Sequence, residues 1–204
     1  MPRLAKRQAA VTLSPIGRAM LGDYVHRVAF APGGTRLAAC SASGQVAVWE
    51  GRSLSPVCEL KGHQQSALTL AWHPTRQDLA TGGQDGVVRI WNPDTGGERA
   101  ALPVGGQGSW VEHLAWSPDG QFLAASAGKM LRIWNIDPGS TPQLAAEVPA
   151  YKTTISALTW MPRGGGIVGS AYGGAWLWKV GQEKPVRSFP YDGALLTNAV
   201  SPSG

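Results

Sequence analysis

Residues 62–92 read GHQQSALTLAWHPTRQDLATGGQDGVVRIWN, and this stretch decides the fold. Ala67 to Trp72 form a strand, and Pro74 to Gln77 turn the chain. Leu79 to Gly83 make a second strand, and Asp85-Gly86 is a tight hairpin signal. Val87 to Trp91, rich in β-branched residues, make a third strand. Pro93 to Gly97 then turn the chain into an outer fourth strand over Glu98 to Val104. The next unit repeats the order, with Val111 to Trp116, Gln121 to Ala127, Met130 to Trp134 and Gln143 to Val148.

The pattern recurs along the chain. A large apolar residue, a variable one and a proline appear as Phe30-Ala31-Pro32, Trp72-His73-Pro74, Trp116-Ser117-Pro118 and Trp160-Met161-Pro162. Val200-Ser201-Pro202 is a weaker fifth copy, and the prolines are 42, 44, 44 and 40 residues apart. Trp49, Trp91, Trp134 and Trp178 follow the first four prolines by 16 or 17 residues. A shared period with a shared internal offset is the signature of a repeat architecture. One such sheet cannot cover both its faces, so neighbours must stack. Val28, Leu70, Leu114 and Leu158 fall at one register and are the expected sheet-to-sheet core, with Trp72, Trp116 and Trp160 in the same layer. No stretch keeps a helical period. The fold class is therefore all-β.

Gly62-His63, Thr81, Asp85 and Ile90-Trp91-Asn92 resemble a WD40 repeat, with Asn92 in place of the name-giving aspartate. The resemblance covers roughly residues 20 to 204. It implies a β-propeller of four-stranded antiparallel blades around a channel, here expected as an incomplete ring, since full propellers of this family most often have seven blades. A natural ring of four or five blades is the alternative. By resemblance, His63, Thr81, Asp85 and Trp91 form a hydrogen-bonded network across the second blade. Ala39 and Ser43 in the first unit, Gly108-Ser109 in the third, and Gly169 and Gly173 in the fourth break the pattern, so those blades are expected to rely on packing alone. The expected division is a basic tail over 1–10, the outer strand of a closing blade over 11–23, blades over 24–60, 61–104, 105–148 and 149–190, and the start of a fifth over 191–204.

Composition fits this reading and narrows the chemistry. Apolar residues make up 43% and charged residues 15%, which is globular rather than disordered. The net charge of +5 includes Arg3, Lys6 and Arg7, either a solvated end or a contact to nucleic acid or an anionic membrane. Elsewhere Arg27, Arg89, Arg132 and Arg187 are spread over different strands, which argues against nucleic acid as partner. Cys40 and Cys58 make no disulfide framework, and Cys40 reads as a small buried hydrophobe. Residues 1–30 show no signal peptide, and no apolar run approaches the roughly 20 residues of a membrane span. A cytoplasmic protein, monomeric when complete, is expected.

His26, His63, His73 and His113 include no pair at metal-ligand spacing, so neither metal nor cofactor is expected. His73 reads as a turn residue on the rim, His113 as a half-buried packing residue. There is no Gly-x-Ser-x-Gly elbow and no activated cysteine, and Gly164-Gly165-Gly166 reads as a turn. No catalytic residue is assigned.

The resemblance makes the face holding the loops into each first strand, together with the second-to-third-strand hairpins, the usual partner site. Tyr24 and Trp110 occupy such loops, eight residues before Pro32 and Pro118. Val25, Val28, Phe30, Val111, Leu114 and Trp116 already fill the core register beside them. Gln84 and Tyr172 sit at hairpins, while His26 and Glu112 form a polar rim. Trp110 is either a binding anchor or packed on the next blade's loop. The reading is a non-catalytic scaffold binding a protein or peptide. An enzyme or small-ligand propeller with its site in the channel is the alternative.

Overall fold

The computed structural model describes residues 15, 17–106, 108–148, 153–182 and 184–201. The first sheet contains β1 (Val25–Phe30), β2 (Arg36–Ser41), β3 (Val46–Glu50) and β4 (Pro56–Leu60). The second contains β5 (Ala67–Trp72), β6 (Leu79–Gly83), β7 (Val87–Asn92) and β8 (Gly97–Pro103). The third contains β9 (Val111–Trp116), β10 (Phe122–Ala127), β11 (Met130–Asn135) and β12 (Gln143–Val148). Each is an antiparallel meander whose strands pair in chain order. The one helical element among the described residues is a single 3-10 turn at Pro32–Gly34.

The fourth sheet is built from β13 (Ile155–Trp160), β14 (Ile167–Trp178) and β15 (Arg187–Ala194). β14 is an unbroken run of 12 residues, which if straight would span roughly 40 Å at about 3.3 Å per residue. It is not straight. A side chain on Gly166 would collide with the Trp178 carbonyl, so the two ends of β14 lie side by side. The reversal falls at Tyr172-Gly173-Gly174, where Gly173 has φ 95° and Gly174 φ 141°, values that suit glycine alone. β14 is thus two strands joined without a loop, and the chain forms four four-stranded blades in an open propeller.

The blades stack through their sheet faces. Leu70, Trp72, Leu79 and Trp91 of the second blade pack on Ala38, Cys40, Val46, Val48 and Leu60 of the first. Val111, Trp116, Leu123 and Trp134 of the third pack on Ala80, Val88, Ile90 and Leu102 of the second. Ile155, Trp160, Ile167 and Trp178 repeat this on the third blade. Each inner tryptophan also reaches across the gap. Trp72 Nε1 donates to Ala29 O at 3.0 Å, Trp116 Nε1 to Ala71 O at 3.1 Å, and Trp160 Nε1 to Ala115 O at 2.8 Å. The sequence pattern placed these rings in the core but gave no hint of the bonds.

Several expectations need correction. Val28 is 54% and Phe30 58% exposed, and Val25 is exposed as well. Their counterparts Leu70 and Trp72 are covered by the preceding blade, and no blade precedes β1 among the described residues. His73 is not a rim residue but is 2% exposed. Its Nδ1 accepts the Thr75 and Arg76 amides, its Nε2 donates to Gly120 O at 3.1 Å, and its ring meets Trp116 edge to face. Gly120 has no side chain because one would overlap that ring. The first, third and fourth blades do not rely on packing alone. Ser41 and Ser43 share a hydrogen bond, Ser117 holds Asp119 and the Phe122 amide, and Ser156 Oγ donates to Ser170 O.

At the two ends, residues 15 and 17–23 carry no strand, while the basic tail and residues 11–14 and 16 lie outside the described residues, as does Pro202. Residues 195–201 also carry no strand, but they lie along β13. Ser156 Oγ donates to Leu195 O, and Asn198 Nδ2 donates to Ala157 O.

Replacing Trp116 with Phe keeps the ring and deletes the donor, which should cost about 1 kcal/mol. Trp116→Ala should cost roughly 3–5 kcal/mol. Urea titrations of both variants check the split, and a Trp116→Phe variant as stable as wild type would mean that the bond contributes nothing.

Candidate functional site

The second blade holds a chain of four side chains whose polarity is fixed by chemistry. Trp91 Nε1 can only donate, and it does so to Thr81 Oγ1 at 2.8 Å. The Thr81 hydroxyl is then free to donate to His63 Nε2, 2.8 Å away. Asp85 can only accept, so His63 Nδ1 carries the proton toward both carboxylate oxygens, each at 3.1 Å. Burial holds the His63 pKa below its ordinary value against the opposing pull of Asp85. Arg89, read from the sequence only as one of several scattered arginines, extends the chain by bonding Asp85 Oδ2 at 3.2 Å and Glu98 Oε2 at 2.9 Å. This network ties the loop entering β5 to the hairpin that follows β6.

Those loops belong to a continuous end face. β1 begins where β2 ends, since Val25 pairs with Ser41. The Ala42 amide donates to Tyr24 O, Ser66 Oγ donates to Ala42 O at 2.7 Å, and the Gln84 amide donates to Ser66 O. Gly86 lies against the Ser109 carbonyl, next to Trp110. The Ile155 amide donates to Gly128 O, and Thr153 Oγ1 accepts the Tyr172 amide at 3.1 Å. Tyr24, Gln84, Trp110 and Tyr172 are thereby placed at one end of the arc. Tyr24 is 72%, Trp110 48% and Tyr172 59% exposed, while Gln84 is half-buried. His26 is exposed with its ring edge-on to Tyr24 at 5.5 Å, and Glu112 is exposed.

Each inner strand is bulged near this end. His26, Leu68, Glu112 and Ser156 are skipped by the pairing of their strands, one per blade. A bulge re-aims the side chains around it. The residues after the bulges are Arg27, Thr69, His113 and Ala157, and all four line one cavity of about 360 Å³ between the inner strands. Thr159 and Thr197 line it too. Burial first, and the charge of Arg27 second, hold the His113 pKa below its ordinary value, and its ring donates to the Ile155 carbonyl. Cys40, paired with Arg27 across β1 and β2, is fully buried, and burial pushes its thiol up to about 11. The period-2 reading missed the bulges because one extra residue leaves the landmark spacing unchanged.

A larger cavity of about 510 Å³ lies on the outer side, between β8 and residues 136–142. Its buried Asp78 is shared by Arg76 Nε at 3.0 Å and Arg99 Nε at 3.3 Å, so both guanidinium groups already have a carboxylate partner. Among the described residues no group of three His, Cys, Asp or Glu side chains could hold a metal ion. Nor is any described helix long and apolar enough to cross a membrane.

The family described as "WD domain, G-beta repeat" matches residues 19–50, 54–92 and 102–135, together just over half of the chain. Among curated relatives, the chain is 27% identical to protein transport protein sec13 of Emericella nidulans over 164 residues, covering 69% of this chain and 53% of that one. It is 34% identical to apoptotic protease-activating factor 1 of Homo sapiens over 118 residues, covering 53% of this chain and 9% of that protein. It is 46% identical to the periodic tryptophan protein 2 homolog of Mus musculus over 57 residues, 28% of this chain and 6% of that one. The chain spans about half the length of the sec13 protein it matches.

Asp85→Ala leaves His63 Nδ1 without its acceptor and Arg89 with Glu98 alone, and should cost about 1–3 kcal/mol. Stability should also depend on pH. His63 and His73 both have folded pKa values below 6.5, with burial as the first cause. The folded state therefore binds fewer protons than the unfolded one, so their contribution is complete above about pH 6.5 and shrinks as pH falls through the window below it. Urea midpoints at pH 7.5 and 5.5 check this; a midpoint no lower at pH 5.5 would contradict it.

Proposed function

We propose that this chain, which belongs to the WD domain, G-beta repeat family, is a non-catalytic scaffold that docks a protein or peptide on the end face carrying Tyr24, Trp110 and Tyr172. The observation that carries the reading is three large aromatic side chains standing in solvent on loops at one end of the arc, with hydrogen bonds linking the first blade's loops to the second's and the third's to the fourth's. A monomeric protein seldom leaves such rings exposed together without a use for them. Tyrosine and tryptophan offer large, stiff contact areas, and they dominate binding hot spots. His26 and Glu112 supply a polar rim, and Gln84 an amide beside the hairpin. Relatives with the same repeats are named for protein transport and for protease activation, a breadth that a shared docking frame explains more readily than a shared reaction.

The rest of the reading follows from this role. The blades function as the units 24–60, 61–104, 105–148 and 149–190, each contributing one loop and one hairpin to the face. The partner is a protein rather than a nucleic acid, because the exposed face is aromatic and its charges are mixed. A cytoplasmic setting accords with Cys40 and Cys58 as free thiols.

Trp110→Ala in the protein carrying this chain should weaken partner binding by roughly 2 kcal/mol or more, as loss of a hot-spot aromatic does. Its melting temperature should stay close to wild type, since half of the ring is already in water. Pull-downs from the native cell, comparing wild type with Trp110→Ala, make the measurement. Equal recovery of every partner, or a large fall in melting temperature, returns Trp110 to a packing role.

A further inference from the structure

The cavity between the inner strands has a charge that nothing answers. Arg36, Arg76, Arg89, Arg99 and Arg132 each bind a carboxylate within 3.3 Å. Arg27 has no such partner among the described residues; it is solvent-exposed and lines the open cavity between the inner strands. No aspartate or glutamate lines that cavity. The hydroxyl-bearing Thr69, Thr159 and Thr197 line the same cavity, together with His113. Thr69 is almost fully buried, so its place there is built by the fold rather than adopted by a mobile surface group.

We propose that this cavity is an oxyanion site, in which Arg27 takes a carboxylate or phosphate group and the threonine hydroxyls complete its hydrogen bonds. The site stands apart from the aromatic face and does not depend on that face docking a protein. Guanidinium suits the task because its planar fork of donors matches two oxygens of such a group at once. The bulges make the site possible. Without the extra residue in each inner strand, the register carrying Arg27, Thr69 and His113 would shift by one, turning every side chain beyond it to the other face. A volume of about 360 Å³ is at the lower end of small-molecule sites, which run from roughly 300 to 1,000 Å³. It suits one acidic group with its waters. Neighbouring groups already feel the unanswered charge, because Arg27 depresses the His113 pKa and opposes the rise of the Cys40 thiol. An anion on Arg27 would cancel both effects.

The test is a titration of the chain with inorganic phosphate at constant ionic strength, chloride being exchanged for it, while the Arg27 side-chain N–H signal is followed by NMR. A saturable shift is expected, with a rise in melting temperature that chloride alone does not give. Arg27→Gln, neutral and of similar reach, should weaken the apparent affinity at least tenfold, as should Arg27→Ala. Arg52→Ala, outside the cavity, should leave it unchanged. Because Arg27 makes no ion pair, Arg27→Gln should melt with the wild type, which separates loss of binding from loss of fold. Two short peptides, one with a single phosphothreonine and one with a single glutamate, serve as parallel probes. Tighter binding of a peptide than of free phosphate assigns the group to a partner chain, and the reverse order assigns a free anion. No saturable response to any of the three probes, or the same response in Arg27→Gln, overturns the proposal.

Discussion

The indole of each inner tryptophan sets how the blades stand against one another. A buried tryptophan must find an acceptor for its N–H, or lose about 1–3 kcal/mol in desolvation. In this chain the acceptor is a carbonyl of the preceding blade's inner strand, Ala29, Ala71 or Ala115. Hydrophobic contact alone would let one sheet slide over the next. A directional bond of about 3 Å, repeated at three successive interfaces, removes that freedom. It fixes the height of each inner strand against its neighbour, and so the height of every loop at the end of the arc. Tyr24, Trp110 and Tyr172 share a face because this spacing is kept.

The second blade differs from the others in carrying one continuous chain of polar side chains. From the Trp91 indole to the Asp85 carboxylate, every donor meets an acceptor, and Arg89 bridges the Asp85 and Glu98 carboxylates with its Nε left without a partner. The other blades use shorter devices. Ser117 in the third blade satisfies one turn, and Ser156 in the fourth holds two carbonyls, one on β14 and one on the segment that follows β15. His73 links the second and third blades with a fully satisfied ring. Polar chemistry is therefore concentrated at the centre of the arc. Val25, Val28 and Phe30 of β1, which no blade covers among the described residues, are left in water.

Much of the fold was legible because two signals agreed. The proline and tryptophan landmarks gave the repeat, and the alternation between them gave strands that match the observed ones to within a residue over most of the second and third units. The four network residues could be named because they recur at fixed places in a known repeat. Burial at the ends was not legible. Val28 and Leu70 are alike in sequence register, and only the presence of a neighbouring sheet makes one of them core. His73 was misread because its setting is decided by Gly120, 47 residues away. The loopless reversal in β14 was visible as Gly173-Gly174 and was placed correctly at a hairpin, though nothing in the residues foretold that strand pairing would run straight through it.

The bulges show how far the strict alternation can be trusted. A period of two assigns His26 and Val28 to one face and Arg27 to the other along the whole of β1. The structure breaks that rule between Val25 and Arg27, and it does so again at the same register of β5, β9 and β13. Four independent irregularities would not fall in register, so the bulge belongs to the repeat as firmly as its tryptophan does. Its consequence is that the polar residues nearest the channel are set by a local rearrangement of backbone, while the core below them obeys the ordinary pattern. A substitution at Arg27 or His113 therefore leaves the packing that Trp72, Trp116 and Trp160 enforce untouched. The repeat can vary its inner surface from blade to blade, as Arg, Thr, His and Ala do here, without disturbing the frame that carries it.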